Sequence, residues 1–188
     1  TNVETFAVYG ALSGFSVFLT LFLLEFGGYS PFRSGLALLP TTIVMFVLSR
    51  VAGRMSMQYG PRFFMALGPI VAGASMVPYA RLPVHPNYWI DIFPALLGFS
   101  VGLSLTVAPL TTTVLADAGP GDAGVASGVN NAVARIAGLV AVAVLGIAAA
   151  GGSDNLTVRG FHHTMLVVAG LLVAGGLIGA VGIRNPST

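Results

Sequence analysis

Residues 130–150 read NNAVARIAGLVAVAVLGIAAA, and Arg135 is the one charged side chain among them. A helix needs about 20 predominantly apolar residues to cross the hydrocarbon core of a bilayer. The backbone finds no water to bind in that core, so a helix, which satisfies its polar groups internally, is the structure that fits. We therefore predict a transmembrane helix over residues 130–150.

Five further apolar stretches share this character and lie at residues 6–24, 35–51, 63–79, 88–115 and 163–183. The chain of 188 residues is 55% hydrophobic and 7% charged, whereas soluble domains carry roughly 25% charged residues. A soluble fold of this length could not bury so much apolar surface. The sequence therefore predicts an all-α membrane protein with six transmembrane helices, and the lipid bilayer is its natural solvent.

Several classes of function are excluded by composition. The formal charge is +2, without lysine and without a basic stripe, so we expect no nucleic-acid partner. The absence of cysteine excludes thiolate metal sites, and the three histidines form no metal-binding cluster with acidic residues. No hydrolase, zinc-protease or phosphate-binding motif occurs. We expect neither an enzyme nor a cofactor.

The arginines predict the orientation, because short cytoplasmic loops carry an excess of basic residues. Six spans place both ends of the chain on one side of the membrane. That side holds five of the eight arginines, Arg50, Arg54, Arg62, Arg135 and Arg184, against Arg33, Arg81 and Arg159 on the other. We therefore predict a multi-pass protein of the cell membrane with both termini in the cytoplasm.

The link between the second and third spans carries a recognisable motif. It reads GRMSMQYGPR from Gly53 and resembles the cytoplasmic loop signature G-x-x-x-D-R-x-G-R-R of the major facilitator superfamily. Gly53, Gly60 and Arg62 match, whereas Met57 and Gln58 replace the acidic residue and the basic residue after it. The two glycines fit a tight turn between helices, and Arg62 can lie at a helix end or beside anionic headgroups.

Three more stretches resemble the C-terminal half of the fourteen-span drug/proton antiporters, the EmrB/QacA-like group. They read GYSPFRSGLALLP at residues 28–40, GLSLTVAP at 102–109 and AGVASGVNN at 123–131. The resemblance implies that residues 1–188 form the C-terminal six-helix half of such a transporter, made of two inverted three-helix repeats. The first residue is Thr1 rather than Met, and we expect the chain to begin partway through a longer protein.

Ionisable and polar groups within spans are costly, so they are the first candidates for function. Glu25, at the end of the first span, either faces a cavity mouth or reaches water. Asn131 and Arg135 are four residues apart and share a helix face; Arg135 either lines the cytoplasmic mouth of a cavity or extends to the headgroups. Asn130 and Thr106 complete the candidate substrate-cavity residues.

The resemblance implies proton-coupled export of drugs or other amphipathic small molecules. The cavity would draw on the first, second, fourth and fifth spans, with the proton-coupling residues in an N-terminal half. Two alternatives stay open: a membrane assembly module or truncated remnant that transports nothing, and a half-size transporter that works as a homodimer. The expected partners are a small-molecule substrate, protons, and either the missing half or a second subunit.

Overall fold

A computed structural model of the chain describes residues 1–116, 118, 121–150 and 155–182. Arg184, counted above on the cytoplasmic side, and the last residue of the sixth predicted span lie outside these residues. The described α-helices are α1 (Asn2–Glu25), α2 (Pro31–Tyr59), α3 (Pro61–Ala74), α4 (Phe93–Ala116), α5 (Ala123–Ala150) and α6 (Val158–Gly182). A 3-10 helix, Val77–Arg81, follows α3, and a π-helical turn, Tyr88–Ile92, leads into α4.

Six helical segments in the described ranges are long and apolar enough to cross a membrane. Among the described residues every element is helical and none is a strand. The prediction of a six-helix all-α membrane protein is therefore confirmed. Most helices extend past the predicted apolar runs, because a helix continues into the polar interface after the hydrocarbon ends. α5 begins at Ala123, seven residues before the predicted start of the fifth span at residue 130.

Local sequence sets the helix ends. Ser30 precedes α2, and its side chain accepts a hydrogen bond of 3.3 Å from the backbone N–H of Arg33, while Pro31 occupies the first turn. Gly60 both ends α2 and precedes α3, with φ at +86°, a left-handed conformation that favours glycine. The tight turn expected from the loop motif is therefore present.

The helices pack in a two-fold pattern. α1 packs against α5 and α6, α4 packs against α2 and α3, and α3 packs against α6. If α1, α2 and α3 are exchanged with α4, α5 and α6 respectively, the same set of contacts results. Two related three-helix repeats are expected to give such a pattern. α1 and α4 have the largest share of buried residues, whereas α2 and α5 have the smallest.

Aromatic side chains fill the contact between the two repeats. Phe15 of α1 lies with its ring centroid 4.4 Å from that of Phe99 in α4 and 5.3 Å from that of Tyr79. The Tyr79 hydroxyl donates a hydrogen bond of 2.9 Å to the carbonyl oxygen of Ile92, so the polar end of this buried ring is satisfied. Phe22 and Phe161 pack at 4.2 Å and join α1 to α6.

Candidate functional site

A groove of about 780 Å³ runs between α1 and α5. Four of its lining side chains are polar, and the others are small or apolar. The lining consists of Tyr9, Ser13, Asn131, Ala134, Arg135, Gly138, Leu139, Val142 and Ala143. We call this the α1–α5 groove. Its volume suits a drug-sized molecule.

Helical spacing brings the polar groups of the groove together. Tyr9 and Ser13 are four residues apart on α1, and Asn131 and Arg135 are four apart on α5, so each pair shares a face. The α5 backbone approaches α1 closely at Gly138, where a Cβ atom would lie 2.6 Å from Ser13 Oγ. This close approach puts the polar side chains of both helices around one space.

The charge in the α1–α5 groove is positive. Arg135 is exposed, and none of the described acidic residues lines the groove. The guanidinium and amide groups can donate hydrogen bonds, and the hydroxyls of Tyr9 and Ser13 can donate or accept. Apolar walls with a few polar groups bind amphipathic molecules, whereas sugars and nucleotides need a denser polar lining.

The structure separates the other predicted site residues from this groove. Asn130 is buried, and its side-chain oxygen accepts a hydrogen bond of 2.8 Å from the Thr5 hydroxyl, so it joins α5 to α1. Thr106 is fully buried in the contact between α4 and α3 and donates to the Gly102 carbonyl at 2.8 Å. Glu25 is exposed at the far end of α1, beside a smaller cavity of about 190 Å³. Asn131 and Arg135 are the predicted pair that the fold brings together in the groove.

The three residues of the loop motif have structural contacts. Gly60 makes the turn, and Gly53 lies on α2 where a Cβ atom would be 3.8 Å from the side chain of Ala108 in α4. Arg62 Nε donates a hydrogen bond of 2.7 Å to the carbonyl oxygen of Ala180, near the end of α6. A cation there satisfies a terminal carbonyl and the negative end of the helix dipole.

A second groove, of about 490 Å³, lies between the start of α2 and the π-helical turn before α4. Arg33, Tyr88 and Trp89 contribute to its lining. It lies beside the contact between α2 and α4, which is the counterpart of the α1–α5 contact in the two-fold pattern. The Tyr88 hydroxyl donates a hydrogen bond of 2.9 Å to the Ala37 carbonyl oxygen, which attaches the π-helical turn to α2.

Sequence reasoning missed Glu4. It precedes the first predicted span, yet it lies inside α1 and its side chain is buried. The signal was helical spacing, because Glu4, Val8, Ala11 and Phe15 fall on one face of α1 and all are buried. In the part of the chain that the structure describes, no three His, Asp or Glu side chains cluster as metal ligands.

Six membrane-length helices around apolar grooves define a multi-pass helical membrane protein whose site suits small molecules. Residues 5–142 match the Major Facilitator Superfamily, and the chain belongs to this family. The family consists of membrane transport proteins rather than enzymes. The predictions of a membrane transport protein and of a protein that is not an enzyme are therefore confirmed at the level of the family.

Relatives of the chain are drug-resistance and export proteins. It is 29% identical over 153 residues to the methylenomycin A resistance protein of Streptomyces coelicolor, covering 81% of this chain and 32% of that protein. It is 30% identical over 183 residues to the puromycin resistance protein pur8 of Streptomyces alboniger, covering 90% and 36%. For the multidrug resistance protein Stp of Mycobacterium tuberculosis the identity is 31% over 144 residues, covering 75% and 25%. The chain spans about a third of the length of the first two relatives.

Proposed function

We propose that this chain is the C-terminal six-helix half of a proton-coupled exporter of drugs or other amphipathic small molecules, of the fourteen-span kind. The observation that carries the proposal is the α1–α5 groove, with apolar walls and with Asn131 and Arg135 on one face. In this proposal the groove is one wall of the substrate cavity. The other wall belongs to a preceding six-helix half.

The names of the relatives support the substrate class. Proteins named for resistance to methylenomycin A and to puromycin align with most of this chain. The drugs in those names are the first compounds to test. Their alignments cover only about a third of each relative, which agrees with a chain that supplies one part of a transporter.

α2 and α5 have the smallest share of buried residues among the six spans, which supports a second half that packs on them. Phe46 and Val47 of α2 and Leu139 and Ile147 of α5 are all more than half exposed. α2 and α5 are equivalent in the two-fold pattern. We propose that the preceding half packs on these helices, with both termini of the chain in the cytoplasm of a cell-membrane protein.

The decisive residue is Arg135. Losing a hydrogen bond to a charged group costs about 1.5–3 kcal/mol, and about 1.4 kcal/mol is a factor of ten. In the protein expressed from its complete reading frame, we expect Arg135→Ala to raise the KM for exported puromycin or methylenomycin A by roughly tenfold to a hundredfold. This KM is measured as drug uptake into everted membrane vesicles, where export from the cytoplasmic side fills the vesicle. The rates are normalised to transporter abundance.

The matched control is Arg159→Ala, which removes an exposed arginine at the start of α6, outside the groove. This control is expected to export like the unmodified protein. Unchanged KM and kcat for Arg135→Ala would remove Arg135 from the proposed cavity. Efflux that persists after an ionophore abolishes the proton gradient would contradict proton coupling. No efflux of any drug from the complete protein would favour the assembly module instead.

A further inference from the structure

Glu4 carries a buried carboxyl group that does not line the α1–α5 groove. Its side chain is 1% exposed, in the first turns of α1. A Cβ atom built on Gly179 of α6 would lie 3.1 Å from each of the Glu4 carboxyl oxygens and 2.9 Å from the carbonyl oxygen of Met65 in α3. The carboxyl group therefore lies at the junction of α1, α3 and α6, in space that the missing side chain of Gly179 leaves open.

Neither Glu4 oxygen has a hydrogen-bond partner among the residues that the structure describes. The hydroxyl of the adjacent Thr5 donates to Asn130 of α5. Within the described ranges, no hydrogen-bond donor therefore holds an ionised Glu4 carboxylate in place.

The charged groups on the helices around Glu4 do not pair with it. On α3 the charged residue is Arg62, whose Nε donates to the Ala180 carbonyl, next to Gly179. On the described part of α6 the titratable groups are Arg159, His162 and His163, at the opposite end of that helix. On α1 the other titratable groups are Tyr9, which lines the α1–α5 groove, and Glu25, at the far end of the helix.

An ionised carboxylate buried without a partner is strongly disfavoured, and such a group takes up a proton instead. We propose that Glu4 is a proton-binding site at the junction of α1, α3 and α6. The carboxyl is a neutral acid while the junction is dry, and it releases its proton when water reaches it. The carboxylate that remains is solvated by water, so drying the junction requires a proton to be taken up again.

Two carbodiimides of opposite solubility test this site. Dicyclohexylcarbodiimide partitions into apolar regions, where a protonated carboxyl adds across its C=N bond and the acyl group moves to nitrogen, giving a stable N-acylurea without a leaving group. In membranes holding the complete protein, we expect this reagent to modify Glu4 at acidic pH and progressively less as the pH rises. Peptide mass spectrometry identifies the modified residue.

Glu25 is the matched control, since it is an exposed glutamate on the same helix. A water-soluble carbodiimide with an added amine is expected to modify Glu25 and to leave Glu4 unmodified. The reverse result, with Glu4 modified from water and untouched by the apolar reagent at acidic pH, would overturn the proposal, because it would mean a hydrated, ionised carboxylate.

The functional arm of the test rests on the proposed export activity. Glu4→Gln keeps the shape of the neutral acid and cannot titrate, so we expect a flattened pH profile of efflux at normal abundance, whereas Glu25→Gln keeps the wild-type profile. An unchanged pH profile of efflux for Glu4→Gln would mean that Glu4 is a buried structural residue whose protonation plays no part in export. If the protein exports nothing, or Glu4→Gln does not accumulate, the labelling of the unmodified protein still decides whether Glu4 binds a proton.

Discussion

At the scale of single residues, Asn130 and Asn131 show what a sequence leaves open. They are adjacent and chemically identical, and both were predicted to line the cavity. Successive helix positions point about 100° apart, so one asparagine is buried against Thr5 and the other lines the groove. Which of them turns towards α1 depends on the rotation of α5 about its axis. That rotation is set by the close contacts at Gly10 and Gly138, which sequence spacing alone does not identify.

The hydrogen bond between Thr5 and Asn130 gives a prediction about stability. We expect Thr5→Val to lower the free energy of unfolding by about 1 kcal/mol, because it leaves a buried amide oxygen unpaired. In a double-mutant cycle with Asn130→Ala, the coupling should be about 0.6 kcal/mol, the typical value for such bonds between membrane helices. Thr20→Val is the control, since the Thr20 hydroxyl bonds the Ser16 carbonyl of its own helix at 2.7 Å. Strict additivity in detergent-unfolding titrations would show that this bond contributes nothing.

At the scale of helices, the sequence predicted what depends on hydropathy and missed what depends on packing. All six helices were found, because each apolar run is long enough to cross a bilayer. The start of α5 was placed late, because residues 123–129 are small and polar enough to resemble a loop although they continue the helix. Thr106 was assigned to the cavity because it is polar, yet Gly68 and Gly102 let α3 cover it completely.

The contact between α3 and α4 depends on Gly68. A Cβ atom there would lie 2.7 Å from the Gly102 carbonyl oxygen and would also collide with the Thr106 hydroxyl. We expect Gly68→Ala to destabilise the protein by about 1–3 kcal/mol, since overpacking forces helices apart. Gly170→Ala in α6 is the matched control, because nothing lies within 4 Å of its Cβ position. Thermal unfolding in detergent compares the two, and equal midpoints would contradict this account of the contact.

At the scale of the whole molecule, the two-fold pattern of helix contacts was implied by the family resemblance rather than by any single residue. Because successive helices each cross the membrane, they run in alternate directions, so the α2–α3 turn at Gly60 and the link between α3 and α4 lie on opposite sides. Gln58 and His85 are both exposed, one on each side. Neither is an arginine, so replacing them does not alter the charge count that predicts orientation.

Cysteine labelling at these two positions tests the predicted orientation. The chain contains no cysteine. Once any cysteines elsewhere in the complete protein are replaced, a single introduced cysteine is the only residue that the reagent can label. A membrane-impermeant maleimide added to intact cells should label His85→Cys, because the α3–α4 link faces outwards in the predicted topology. The same reagent should label Gln58→Cys only after permeabilisation, since the arginine-rich end of α2 faces the cytoplasm. The opposite result would invert the topology, and the Asn131 and Arg135 end of the α1–α5 groove would then open outwards, where a drug leaves rather than enters.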